Sequence, residues 1–206
     1  MKRLVILMLA LSTIIGVPAV FSQEDSPEDS ETPFYLPTPA GWRTETLAFP
    51  LEFAPQLFDR GLEELRFAPG MFEQGSEDFW TYAFVWWLPV GSEIEANRLA
   101  ADLGTYFSGL ARAVAKGKNL TIDDAVFEVE MVAVEGGTTG WDFEGMAEIL
   151  DTFVTAETVV LNIRAKFVLC VSQHHGALLF ELSPQSLDHG VWQTLGQIRD
   201  GFRCDR

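Results

Sequence analysis

From Ala125 onward, apolar and polar residues alternate with a period of two. Phe127, Val129, Met131 and Ala133 share one face of a stretch from Ala125 to Glu135, which Gly136 and Gly137 break. Trp141, Phe143, Gly145, Ala147 and Ile149 resume the alternation in a second predicted strand. A third, Thr158 to Cys170, sets Val159, Leu161, Ile163, Ala165, Phe167 and Leu169 against Asn162, Arg164 and Lys166. After the turn "SQHHG", Ala177 to Leu182 form a fourth. Short turns between successive strands imply an antiparallel meander. Further strands are predicted at Arg43 to Phe49, Leu62 to Ala68 and Phe79 to Leu88.

Two segments change to helical spacing. In Ser92 to Ala115, Leu99, Leu103, Tyr106, Leu110 and Val114 recur at intervals of three and four. Ser92 and Glu95 stand in capping-box spacing at its start, and Gly117 between Lys116 and Lys118 marks its end. Near the C-terminus, Asp188 is placed to cap a helix with Val191, Trp192, Leu195, Ile198 and Phe202 on one stripe.

The segment "FWTYAFVWWL", Phe79 to Leu88, is apolar on both of its strand faces: Trp80, Tyr82, Phe84, Trp86 and Leu88 on one, Phe79, Thr81, Ala83, Val85 and Trp87 on the other. Such a strand belongs in the middle of a sheet covered on each side. The predicted fold is therefore α+β, a mostly antiparallel sheet flanked by two main helices.

Strands, a long helix, a meander and a final helix "VWQTLGQIRDGF" follow one another over most of the chain. That order resembles the PsbP-like group of secreted and lumenal proteins. The resemblance implies a binding or assembly factor rather than an enzyme, and it carries over no site residue.

The N-terminus adds a compartment. Lys2 and Arg3 precede an apolar run from Leu4 to Ile15, then Gly16, Pro18 and small residues, the layout of a secretory signal peptide. Cleavage is expected after Ser22, with Ala19 the alternative. Residues 1–22 are thus read as the signal peptide, 23–33 as an acidic disordered leader ("QEDSPEDSETP"), and 34–206 as a single domain. No later segment is free of charge for long enough to predict a membrane span. Cys170 and Cys204 are the two cysteines, and an even count in an exported chain predicts a disulfide between them.

Charge narrows the partners. With 14 basic and 30 acidic residues the formal net charge is −16, and loss of Lys2 and Arg3 makes it more negative. Nucleic acid and anionic lipid are poor partners for such a field. An envelope protein or a small ligand is the expected partner.

Candidate chemistry is sparse. Trp141, Asp142 and Glu144 in "GWDFEG" would suit a sugar cleft with paired carboxylates, as a carbohydrate-active enzyme or a sugar-binding module. Residues two apart on a strand also display its polar side in any half-exposed sheet. Arg66, between apolar neighbours in "GLEELRFAPG", could orient a ligand carboxylate if buried beside an acid, while Glu63, Glu64 and Arg66 together fit a solvated strand face. His174, His175 and His189 lack a third convergent ligand, so no metal and no cofactor are expected. With no nucleophile elbow and no phosphate loop, the primary reading is an exported, non-catalytic binding or assembly protein of the cell envelope.

Overall fold

Alternation in the second half of the chain builds the larger part of one antiparallel sheet. The computed structural model describes residues 32–91, 94–122, 127–134 and 141–205. The signal peptide, nearly all of the leader, Ser92 of the capping box, the Ala125 start of the first meander strand and its Gly136–Gly137 break lie outside these residues. The strands are β1 (Arg43–Ala48), β2 (Leu62–Phe67), β3 (Tyr82–Pro89), β4 (Glu128–Ala133), β5 (Phe143–Leu150), β6 (Thr158–Cys170) and β7 (His175–Ser183), and the helices are α1 (Ala96–Lys118) and α2 (Val191–Asp200). They form a seven-stranded sheet in the order β1-β2-β3-β7-β6-β5-β4, antiparallel at every pairing. The α+β class, with an antiparallel sheet and two main helices, is the observed architecture. Thr32 to the C-terminus forms one compact unit.

The aromatic strand is central, as its two apolar faces require. Tyr82, Phe84, Trp86 and Leu88 point into a core shared with Leu99, Leu103, Tyr106 and Phe107 of α1. Ala83, Val85 and Trp87 point the other way, into a second core under Val191, Trp192, Leu195 and Ile198 of α2, where the Phe34 ring packs tilted against Trp87 with centroids 4.9 Å apart. The strand begins at Tyr82 rather than Phe79 because Trp80 takes a left-handed backbone (φ 50°) inside a turn closed by Thr81 N–H to Asp78 O. The Trp80 indole is nevertheless buried.

Both predicted helix starts shift. Glu95 is the N-cap residue of α1 instead of its third helical position, and Asn119, left-handed at φ 55°, replaces Gly117 as the stop, leaving Gly117 within the helix. At α2 the cap position is Gly190 rather than Asp188, and the His189 ring nitrogen Nδ1 accepts the Val191 N–H at 3.2 Å. Asp188 instead accepts from the Ser186 hydroxyl at 2.6 Å.

The predicted disulfide is present: Cys170 at the end of β6 is bonded to Cys204. Next to it, Tyr35 pairs with Arg203. The bond therefore holds the C-terminal tail and the N-terminal segment together against the sheet, in a chain suited to an oxidising compartment. Among the described residues no helix is long and apolar enough to cross a membrane.

Candidate binding groove

Helix α1 lies chiefly over β4 and β5. Among the described residues, the β1–β2 end of the same sheet face is bounded by irregular segments and by the flank of α1. Strict alternation along β1 turns Arg43, Glu45 and Leu47 to this face, beside Leu65 and Phe67 of β2 and Tyr82 of β3. The result is an open groove of about 920 Å³, walled by Tyr106 and Leu110 of α1, by Leu51 and Phe53, by Met71, Phe72 and Trp80, and by Phe153.

Each wall has a local cause. Residues 49–58 turn through Ala54 N–H to Leu51 O and Leu57 N–H to Ala54 O, with Leu51, Ala54 and Leu57 buried as anchors. This loop rests directly on the α1 backbone at Gly109, where a β-carbon would stand 2.2 Å from Phe53 O. Only glycine admits that approach. It brings the Phe53 ring edge-on to Tyr106 at 5.3 Å.

On the opposite wall, the fully buried Asp151 carboxylate accepts the N–H groups of Phe153, Val154 and Thr155 at 2.8, 3.1 and 2.8 Å and the Thr155 hydroxyl at 2.8 Å. A carboxylate that collects so many local donors fixes the turn after β5. Phe153 is thereby held 5.4 Å from Phe72 and 5.8 Å from Trp80. At the rim, the Arg43 guanidinium lies over Phe72, 4.9 Å from its centroid, and Glu45 and Glu52 supply negative charge.

Beneath the groove is a buried acid. Glu63 is fully enclosed; Trp86 Nε1 donates to its Oε1 at 3.1 Å, and Oε2 has no hydrogen-bond partner. Burial pushes its pKa up to about 8; the Trp86 and Tyr106 hydrogen-bonding groups draw it down, and Glu45 adds a smaller upward push. The carboxyl is therefore neutral at pH 7, held in the core rather than presented to the groove.

The residues singled out from the sequence lie elsewhere and are not brought into one cleft. Arg66 is buried with its donors spent inside the protein: Nη1 on Glu64 at 2.5 Å and Leu65 O at 2.8 Å, Nη2 on Leu36 O at 2.9 Å, and Nε on Pro37 O at 3.2 Å. Together with Glu63 and Glu64 it departs from the expected solvated strand face, because the segment around Leu36 and Pro37 covers β2 on one side and the α1 core covers it on the other.

Trp141, Asp142 and Glu144 do adjoin one another at the start of β5. The half-buried Trp141 ring meets the guanidinium groups of Arg199 at 3.7 Å and Arg164 at 4.3 Å. Asp142 Oδ2 accepts the Phe167 N–H at 2.7 Å, and Glu144 pairs with Arg164 at 3.6 Å. Behind them Arg199 reaches Glu181 at 3.2 Å. Burial raises the Glu181 pKa to about 7, against the lowering effect of Arg199 and Arg164. His175 stacks on Trp87 at 5.0 Å, distant in the chain from His189 at the α2 cap. Among the described residues no group of three or more His, Cys, Asp or Glu is placed to hold a metal ion.

Sequence reasoning missed Phe53, Phe72 and Phe153 as wall residues. They sit in irregular segments where no period applies. The signal available was a large aromatic residue inside each of three polar or turn-rich stretches. Comparison with family models, with curated proteins and with solved structures finds no match to this chain.

Proposed function

We propose that this protein is an exported, non-catalytic binding or assembly factor of the cell envelope, and that the aromatic groove is where it takes its partner. The observation that carries the reading is a groove of about 920 Å³ lined by seven aromatic side chains, with charge confined to its rim. Apolar, aromatic concavities of this size with a few polar groups at the edge are the usual form of a binding site. The disulfide, the acidic balance and an element order that resembles the PsbP-like group support the same reading.

The carbohydrate reading at Trp141, Asp142 and Glu144 draws less support. Both carboxylates are engaged within the protein, and the tryptophan ring has two guanidinium groups against it.

The test is a pulldown from the native envelope followed by mass spectrometry, with the wild type and Phe72→Ala compared. Export itself is checked by an intact mass beginning at or near Gln23. For the groove, an apolar fluorescent dye should bind the wild type and bind Phe72→Ala and Phe53→Ala weakly. Equal uptake by all three would remove the groove from the proposal. Turnover of glycosides abolished by Asp142→Asn or Glu144→Gln, with the fold intact, would replace the binding reading by the enzymatic one.

A further inference from the structure

We infer that the occupant of the groove is an extended peptide segment of a partner protein, added to the sheet as an eighth strand along β1; this rests on the reading of the groove as the binding site. The first reason is the open edge. Phe49 N–H donates to Gly61 O at 3.0 Å, continuing the β1–β2 register. In an antiparallel pair the bonded residues alternate, so Arg43, Glu45 and Leu47 turn their backbone groups to β2. Thr44, Thr46 and Ala48 turn theirs outward, where no partner is found among the described residues. β1 has no proline, lysine or bulge to discourage pairing.

The second reason is that groove and edge are continuous. The groove is bordered by all six residues of β1. Thr44 and Thr46 have their side chains on the other side of the sheet, where the Thr46 hydroxyl bonds Glu64. With those side chains turned away, the groove meets Thr44 and Thr46 at their backbone and extends along the length of β1, the strand whose outer edge is unpaired among the described residues. An added strand would bond to Thr44, Thr46 and Ala48 and send every second side chain in among Leu47, Phe53 and Phe72. Backbone pairing supplies affinity in this mode, and alternate pockets supply selectivity.

Charge sets the rest. Glu45 and Glu52 outnumber Arg43 at the rim, on a chain of net charge −16. The favoured segment is therefore apolar at alternate positions and neutral to basic overall. A second copy of this chain would bring another strongly acidic surface to the same rim.

The test uses the intact mature protein and a blocked heptapeptide that alternates leucine and threonine between terminal lysines, labelled for fluorescence anisotropy. In an antiparallel addition the leucines enter the groove and the threonine N–H groups face β1. N-methylation of the threonines should weaken binding roughly tenfold or more, and N-methylation of the leucines should leave it within about twofold. Hydrogen exchange should slow at the Thr44, Thr46 and Ala48 amides on peptide addition. The reverse methylation pattern, with the same protection, also supports an added strand but in the parallel sense.

Equal sensitivity to both methylations, or no protection of those amides, overturns strand addition. If the apolar dye binds in the groove and the peptide does not, the strand proposal fails and the groove reading stands. If neither binds, both fail. A dimer formed through β1 that excludes the peptide assigns the edge to a second copy and overturns the peptide as occupant.

Discussion

Replacing Glu63 with glutamine should make the protein less sensitive to alkaline pH, and the size of the effect follows from the site. Glu63 has its pKa raised from 4.5 to about 8, chiefly because burial penalises the charged form. Below pH 4.5 the carboxyl is neutral in both folded and unfolded chains and costs nothing. Between pH 4.5 and about 8 the unfolded chain releases its proton while the folded chain keeps it, so stability falls as pH rises. Above about pH 8 both states are ionised and the loss is complete. At about 1.4 kcal/mol per unit, the loss is on the order of 5 kcal/mol, a large fraction of the roughly 5–15 kcal/mol by which domains are stable. Glutamine keeps an oxygen for the Trp86 N–H and cannot ionise. Urea unfolding followed by tryptophan fluorescence from pH 5 to pH 9 should therefore show the two proteins close together at pH 5 and the variant more stable by several kcal/mol at pH 9. Glu181, with its pKa raised to about 7, should leave a smaller decline in both, ending earlier. Parallel stability curves for wild type and Glu63→Gln would refute the argument that this carboxyl is held neutral in the core.

Three further outcomes follow from the packing. Gly109→Ala should destabilise by about 1–3 kcal/mol despite alanine's better helix propensity, because the Phe53 carbonyl lies 2.2 Å from the new β-carbon; a rise in melting temperature would contradict that contact. Trp86→Ala, which empties the centre of the first core, should cost about 3–5 kcal/mol in chemical denaturation, and a neutral result would contradict its burial. Cys204→Ser removes a cross-link between positions 34 apart and should cost about 3–4 kcal/mol, measured as a lower unfolding midpoint under non-reducing conditions; an unchanged midpoint would show that the tail holds without the bond.

Much of the fold was legible because it depends on local spacing. Period-two alternation locates β6 at both ends and the bodies of β1, β2 and β7, and the two apolar faces of Phe79 to Leu88 require a central strand with cover on each side, although the strand itself begins at Tyr82. An even cysteine count behind a signal-like N-terminus predicts the bond between Cys170 and Cys204, and the bond is present. Boundaries were less legible. Trp80 sits left-handed in a turn just before β3, and the cap of α1 falls at Glu95, positions that period-two and capping-box spacing do not mark.

The candidate site was not legible, and the reason is physical. Its walls come from residues 51–53, 71–80, 106–110 and 153, which meet only because the sheet order brings β1 and β2 to the flank of α1, whose main contacts with the sheet are at β4 and β5. An aromatic residue in a turn reads the same whether it ends in a core, in solvent or in a groove wall, since nothing in its neighbours along the chain encodes what will lie across from it. Glu63 and Arg66 make the same point inward. Their burial is decided by Tyr106, Leu36 and Pro37, which lie roughly 30 to 40 positions away, so the alternation of β2 could show two faces but not that both would be covered.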